Sequence, residues 1–336
     1  MMKHLLYFMC VRAAYWLGID ALFYWLNRRA KRILCFHHVM PDAVHMSGIN
    51  GFELNETEFR SCIRELKKRF WFSTDVDDAR TLTLTFDDGW RNQYTTAARV
   101  LHEEGDIPAI LFVSGRMIDN RDPLCALSME LVLHWSRFVP YGTYSLRVKG
   151  HEYRLVIENE NERRETGRVI YGLYLEDGDS RGQDLLKALN AVWPLQMILN
   201  DLPAGYVENR LQGITMAELK ELRVCGWKIG WHTHSHFPLK RLSVAAQREE
   251  LTPTFGVDRA VMAYPFGSPD AVDKETMNIA DELGYDRVLS FMSEPGPNYC
   301  PKFMPRYHVP TEKYELHFVL SGLKHFLKYR RLLPVV

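Results

Sequence analysis

Seven short apolar runs recur along the chain: Ile33–Phe36, Thr81–Phe86, Ala109–Val113, Lys228–Trp231, Val261–Tyr264, Arg287–Phe291 and Tyr307–Val309. Most are separated by stretches whose apolar residues fall at helical spacing. Repeated strand–helix units imply a parallel sheet covered by helices, and seven strands make closure into a barrel plausible. Asn55 with Glu58, and Thr215 with Glu218, have the spacing of capping boxes and open helices over 56–70 and to Val224. Further helices are expected over 92–104, near 243–251, over 273–283 and, as one element, from Tyr314 to Leu333. Residues 120–210 break the rhythm. There Tyr144 to Ile157 alternates about Lys149-Gly150 like a β-hairpin, and charged helical segments follow, so this region reads as an insertion.

Of the 336 residues, 42 are Lys or Arg and 42 are Asp or Glu, giving no basic excess to neutralise phosphates. That argues against a dedicated nucleic-acid partner. The six cysteines are scattered without a CxxC pair, which removes zinc-finger and thioredoxin-like readings. They read as buried free thiols in a reducing compartment.

Leu5 to Leu26 is mostly apolar and aromatic, interrupted by Arg12 and Asp20 and followed by a basic cluster, Arg28-Arg29-Ala30-Lys31-Arg32. A cleavable signal would have its basic residues before the apolar run. A spanning helix would carry Arg12 and Asp20 mid-membrane, at a cost of several kcal/mol. An interfacial helix at the cytoplasmic face of a membrane, or a helix packed on the body of the protein, fits better; an uncleaved anchor is the remaining alternative. Residues 1–32 are therefore set apart from a main domain, 33–336.

In parallel α/β folds, reactive groups collect at the carboxyl ends of strands. Asp87-Asp88-Gly89 ends one apolar run, His232-Thr233-His234-Ser235-His236 another, Pro265-Phe266-Gly267 a third, and His308 the last. Adjacent carboxylates in an extended stretch diverge, so one could bind a metal while the other faces a water. An Asp-Asp-Gly turn is the structural alternative. Three histidines within five residues favour a metal, since imidazole is the commonest zinc ligand. Spacing alone leaves open whether His232 pairs with His236, as on a helical turn, or with His234, as on a strand.

Thr85-Phe86-Asp87-Asp88-Gly89 together with His232-Thr233-x-Ser235-His236 resembles the polysaccharide deacetylase family, with its NodB-homology domain (carbohydrate esterase family 4). Ile33 to Val39 resembles the opening strand of one branch, and Ala263 to Gly267 that branch's third motif. The resemblance covers about 33–118 and 212–310. It implies a distorted (β/α)7 barrel with an α+β insertion, and metal-dependent removal of N-acetyl or other N-acyl groups from amino sugars of a glycan. Asp88, His232 and His236 would hold the metal, zinc first and cobalt or nickel as substitutes. Asp87 would be the general base, the backbone N–H of Phe266 an oxyanion donor, and His308 the general acid. Tyr264, Pro265 and His37 would line the substrate. Ala263 stands where the family has an arginine that orients the catalytic Asp, and Arg306 is expected to supply that guanidinium from another strand.

A carbohydrate substrate follows, with a lipid-linked or nascent cell-surface glycan at the cytoplasmic face of a membrane as the expected setting. A catalytically inactive carbohydrate-binding protein and a small-molecule amidohydrolase are the alternatives. Trp135 and Tyr144 of the insertion could stack on sugar rings or pack in a core.

Overall fold

The computed structural model describes residues 2–44, 53–122, 135–267, 270–291, 303–310 and 312–333. Eight parallel-paired segments make the main sheet: β1 (Arg32–Phe36), β2 (Thr81–Phe86), β3 (Ile110–Val113), β4 (Lys228–Trp231), β5 (Val261–Ala263), β6 (Arg287–Ser290), β7 (Phe303–Pro305) and β8 (Tyr307–His308). They lie in the order β7-β6-β5-β4-β3-β2-β1-β8, and a two-residue strand, Trp71–Phe72, pairs with the start of β2. Only Arg306 separates β7 from β8. β7 pairs with β6 and β8 pairs with β1, so this one segment joins the two ends of the sheet. The result is a barrel of seven staves, the distorted (β/α)7 form expected of a NodB-type domain.

Alternation along the strands explains the two cores. Ile33, Ile110, Phe112, Val261, Ala263, Leu289 and Met304 fill the barrel interior. Their neighbours Leu34, Phe36, Leu84, Phe86, Leu111 and Val113 point outward against the helices. The helices Glu56–Lys67 and Met216–Val224 both begin with complete capping boxes, Asn55 with Glu58 and Thr215 with Glu218. The helix expected over 92–104 starts as wider π-helical turns, Gln93–Ala98, before becoming α-helical at Arg99–Glu103. Such widened turns are common beside functional sites. Here they carry Gln93 inward, where its amide donates to the carbonyls of His37 and Asp87.

The C-terminal segment is two helices, Lys313–Leu320 and Leu323–Tyr329, where one was expected. Gly322 breaks them with φ of +85°, and a Cβ there would lie 2.6 Å from the Asn27 amide, so the close approach of the N-terminal segment sets the break. The hairpin Gly142–Val148 with His151–Ile157 forms about Lys149-Gly150 as expected. Its Leu146 and Ile157 share one continuous core with Trp231 and Tyr264 of the barrel wall, so the insertion is part of the same body. Trp135 is fully buried there, and the partly buried Tyr144 ring lies 5.6 Å from it, which makes both packing residues.

The cysteines correct the expectation of buried thiols. Cys35 is buried and Cys62 half-buried, but Cys10 and Cys225 are exposed, all four unpaired; Cys125 and Cys300 lie outside the described residues.

Candidate active site

β2 ends at Phe86, and the next two residues carry the carboxylates into the barrel mouth. Asp87 remains tied to β1 through its N–H on the Phe36 carbonyl, 3.1 Å. Asp88 then turns into the left-handed region, φ +79°, and Gly89 follows at φ +89°. Glycine is required at 89, because a Cβ would sit 2.7 Å from Val113 Cγ1. The turn corrects the expectation that the two carboxylates diverge. Asp87 Oδ2 and Asp88 Oδ1 lie 3.6 and 3.5 Å from the same atom, His232 Nε2.

His232 ends β4, and its Nδ1 lies 2.8 Å from the Ala263 carbonyl. That contact makes Nδ1 the donor and leaves the Nε2 lone pair facing the carboxylates. Burial, partly offset by Asp87, lowers the His232 pKa to about 4 and keeps the ring neutral. Thr233 and His236 both adopt positive φ, +63° and +58°, which folds the loop back. His236 Nε2 thereby comes within 3.2 Å of Asp88 Oδ1. His234 is exposed at the loop's outer side, so the geometry pairs His232 with His236.

Asp88, His232 and His236 form a group whose ligand atoms lie within 4.8 Å of one another. Trp90 Nε1 donates to Asp88 Oδ2 at 2.9 Å and orients the carboxylate. Asp88 Oδ1 is buried and, among the described residues, has no hydrogen-bond partner, and burial raises the group's pKa. A buried carboxylate oxygen facing the Nε2 atoms of two histidines fits a divalent cation by donor chemistry. A second group, Cys35, His37 and Asp87, meets the same distance test, but the Arg306 guanidinium occupies both Asp87 oxygens and Cys35 Sγ, which disfavours a cation there.

Arg306, the residue between β7 and β8, reaches across the barrel mouth to Asp87. Nη1 donates to Oδ1 at 2.6 Å and Nη2 to Oδ2 at 2.5 Å. Both side chains are buried, and the guanidinium lies over the Phe291 ring at 4.5 Å. Burial alone would raise the Asp87 pKa, but Arg306, then His232 and His37, outweigh it and hold the carboxyl well below its ordinary range.

His37 stands 4.0 Å from Asp87, and its ring stacks 5.8 Å from that of His308. His308 also stacks on Phe291 at 3.7 Å. His308 keeps an exposed edge, yet the protein packed around its ring, then His37 and Arg306, hold its pKa below the imidazole range.

Phe266 takes φ +60° and its ring packs 5.0 Å from His236. Among the described residues its N–H has no acceptor. Tyr264 corrects an expectation. Its ring is fully buried, with its hydroxyl directed toward the Thr276 carbonyl, so it supports the barrel wall and does not line a substrate path. Pro265 is also buried and shapes the turn through its carbonyl, which accepts from Gly267 N–H.

Four of the nine non-glycine residues with positive φ are Asp88, Thr233, His236 and Phe266. Backbone strain concentrated at one barrel mouth marks a functional site. The strained His232–His236 loop is held by a residue that spacing did not reveal. Glu250, on the helix Val244–Leu251, is buried and accepts from the His234 and Ser235 N–H groups at 2.9 and 2.8 Å and from Ser235 Oγ at 2.7 Å. Arg181 of the insertion pairs with Glu250 at 2.9 Å, and the Tyr174 hydroxyl reaches the His236 carbonyl at 3.4 Å. A glutamate fourteen residues after the loop looks in sequence like an ordinary surface helix residue.

No curated protein sequence matches the chain. The model of the polysaccharide deacetylase family matches residues 74–153, which include Asp87 and Asp88. Similar solved structures include the Streptococcus pyogenes deacetylase PplD in complex with acetate, at 14% identity and a TM-score of 0.49, covering 87% of this chain and 97% of that one. IcaB from Ammonifex degensii aligns at 14% identity and TM-score 0.45, over 86% and 96% of the two chains. The BpsB deacetylase domain from Bordetella bronchiseptica aligns at 17% identity and TM-score 0.41, over 83% and 95%. In its motif residues and over 74–153, the chain is similar to the polysaccharide deacetylase family.

Proposed function

We propose that the protein is a metal-dependent hydrolase that removes an N-acetyl or related N-acyl group from an amino sugar of a cell-surface glycan. The observation that carries this reading is the orphaned Asp88 oxygen between His232 and His236, beside an Asp87 fixed by Arg306. Zinc suits one carboxylate and two imidazoles, with cobalt or nickel as substitutes. When bound, such an ion supplies Lewis acidity, which polarises an acyl carbonyl and acidifies a water.

The chain's own residues do the rest. Asp87 is ionised and held rigid by Arg306, so it can take the proton of an attacking water. The Phe266 N–H, without an acceptor among the described residues, donates to the oxyanion that develops on the acyl oxygen. His308 is neutral at rest. It becomes an acid only after gaining a proton, which it then delivers to the departing amine. His37, beside both Asp87 and His308, lines the same opening.

The test is metal content together with acetate release from an N-acetylglucosamine oligomer. Wild type should bind about one zinc per chain and release acetate. Asp87→Asn should keep the metal and lose roughly a hundred- to ten-thousandfold in turnover. His232→Ala should lose the metal. Absence of bound metal after zinc is supplied would overturn this reading and leave a carbohydrate-binding protein.

A further inference from the structure

The N-terminal segment forms two helices, α1 (Met2–Trp16) and α2 (Ile19–Leu26), bent by 72° at a short break. Their inner faces are ordinary. Tyr7, Val11, Ala14 and Phe23 pack on Phe318, Leu323 and Phe326 of the C-terminal helices. The two charges that interrupt the apolar run are taken up by the protein. Arg12 pairs with Glu312, and Asp20 is buried in the first turn of α2.

The outer faces are not ordinary. A surface helix of a soluble protein turns charged residues outward. Here 13 positions between Leu6 and Leu26 are exposed, and 12 of them carry no charge. Leu6, Trp16, Leu17 and Trp25 are 62, 73, 75 and 61% exposed. Leu17 and Ile19 flank Gly18 and are both exposed, so the apolar surface runs through the bend.

Basic groups border this surface. Arg28 and Arg29 follow α2 directly, and the Arg28 guanidinium lies over the exposed Trp25 ring at 5.1 Å. Asn27 binds the Leu333 N–H at 2.9 Å, which brings the exposed Arg330 and Arg331 of the C-terminal tail alongside. Exposed tryptophan and leucine beside clustered arginine match the headgroup zone of an anionic bilayer, apolar below and negatively charged above. No single helix among the described residues is long and apolar enough to cross a membrane, and the inner half of each helix is already committed to the protein.

We propose that α1 and α2 dock this protein in the plane of an anionic membrane surface. The docking is independent of the deacylation reading.

Cosedimentation of the full chain with vesicles tests the proposal. Wild type should bind phosphatidylglycerol-rich vesicles far better than pure phosphatidylcholine vesicles. The triple variant Trp16→Ser, Leu17→Ser, Trp25→Ser should lose at least about tenfold in binding, as apolar contact area is removed. Arg28→Glu with Arg29→Glu should lose roughly fivefold or more for each arginine. All five positions are exposed, so circular dichroism and acetate release from a soluble oligomer should match wild type. Equal binding to the two vesicle types, undiminished binding by the triple variant, or no vesicle binding at all would overturn the proposal. So would a lipid-free dimer that the triple variant abolishes without any vesicle binding, which would assign the face to a second copy of the chain.

Discussion

Arg306 does two things at once. It fixes both oxygens of Asp87, and it is the hinge residue of the segment that closes the barrel. Removing one partner of a buried ion pair leaves the other charge stranded, a loss of about 3–5 kcal/mol. Arg306→Ala should therefore lower the unfolding free energy by that order and reduce acetate release. Arg306→Lys, which keeps the charge without the fork, should recover part of the stability and less of the turnover. Urea unfolding and turnover on the same samples check this. Turnover near wild type in Arg306→Ala would remove the guanidinium from the mechanism. The pair was readable from the chain only as a substitution: Ala263 stands where an arginine was expected, and another arginine had to be found. Tyr264 misled for the opposite reason, since a residue next to a motif can point either way from a strand.

At the scale of elements, the His232–His236 loop has no regular hydrogen bonding of its own, so its shape comes from what surrounds it. Glu250 supplies three acceptor contacts, and the insertion reaches the loop through Arg181 and Tyr174. Glu250→Gln keeps the shape but loses the charge and turns one acceptor into a donor facing N–H groups. Metal affinity should fall roughly 10- to 100-fold, as for other groups that orient ligands. A chelator competition titration measures this, and an unchanged affinity would make Glu250 a helix residue and nothing more. Gly89→Ala puts a methyl group against Val113 at a positive φ. It should cost about 1–3 kcal/mol and displace Asp88, seen as a lower thermal midpoint with weakened metal binding.

Across the whole molecule, the N-terminal segment, the helix Glu56–Lys67 and the C-terminal helices meet at His317. The Tyr24 hydroxyl lies 3.0 Å from Nδ1, and Glu65 lies 3.1 Å from Nε2. A neutral ring satisfies both, accepting at Nδ1 and donating from Nε2. Burial lowers the His317 pKa from 6.5 despite the opposing pull of Glu65. A histidine whose folded pKa is depressed gives stability that is fully present above its unfolded pKa and is lost as pH falls toward the folded one. Thermal midpoints of wild type should drop as pH falls below 6.5, and His317→Gln should show a flatter profile. Identical slopes would place the acid sensitivity elsewhere, with His232 the next group to examine.

The strand–helix rhythm, the capping boxes, the hairpin and the residues at the strand ends were all legible in the chain, because each depends on spacing within a few residues of itself. The set Asp88, His232 and His236 came from the resemblance, since spacing alone left His234 and His236 both open. Tertiary structure decided the rest. Closure of the barrel by 303–308 depends on pairing across about 270 residues of chain. The break at Gly322 answers to Asn27, and Arg12, which reads as an interruption of an apolar helix, pairs with Glu312, 300 residues away. The convergence of two adjacent carboxylates on one imidazole rests on a single left-handed residue, Asp88, held by the Ser114 N–H on its carbonyl and by Gly89 against Val113. Periodicity carries no information about which distant group will meet a side chain. That meeting is fixed only when the barrel closes.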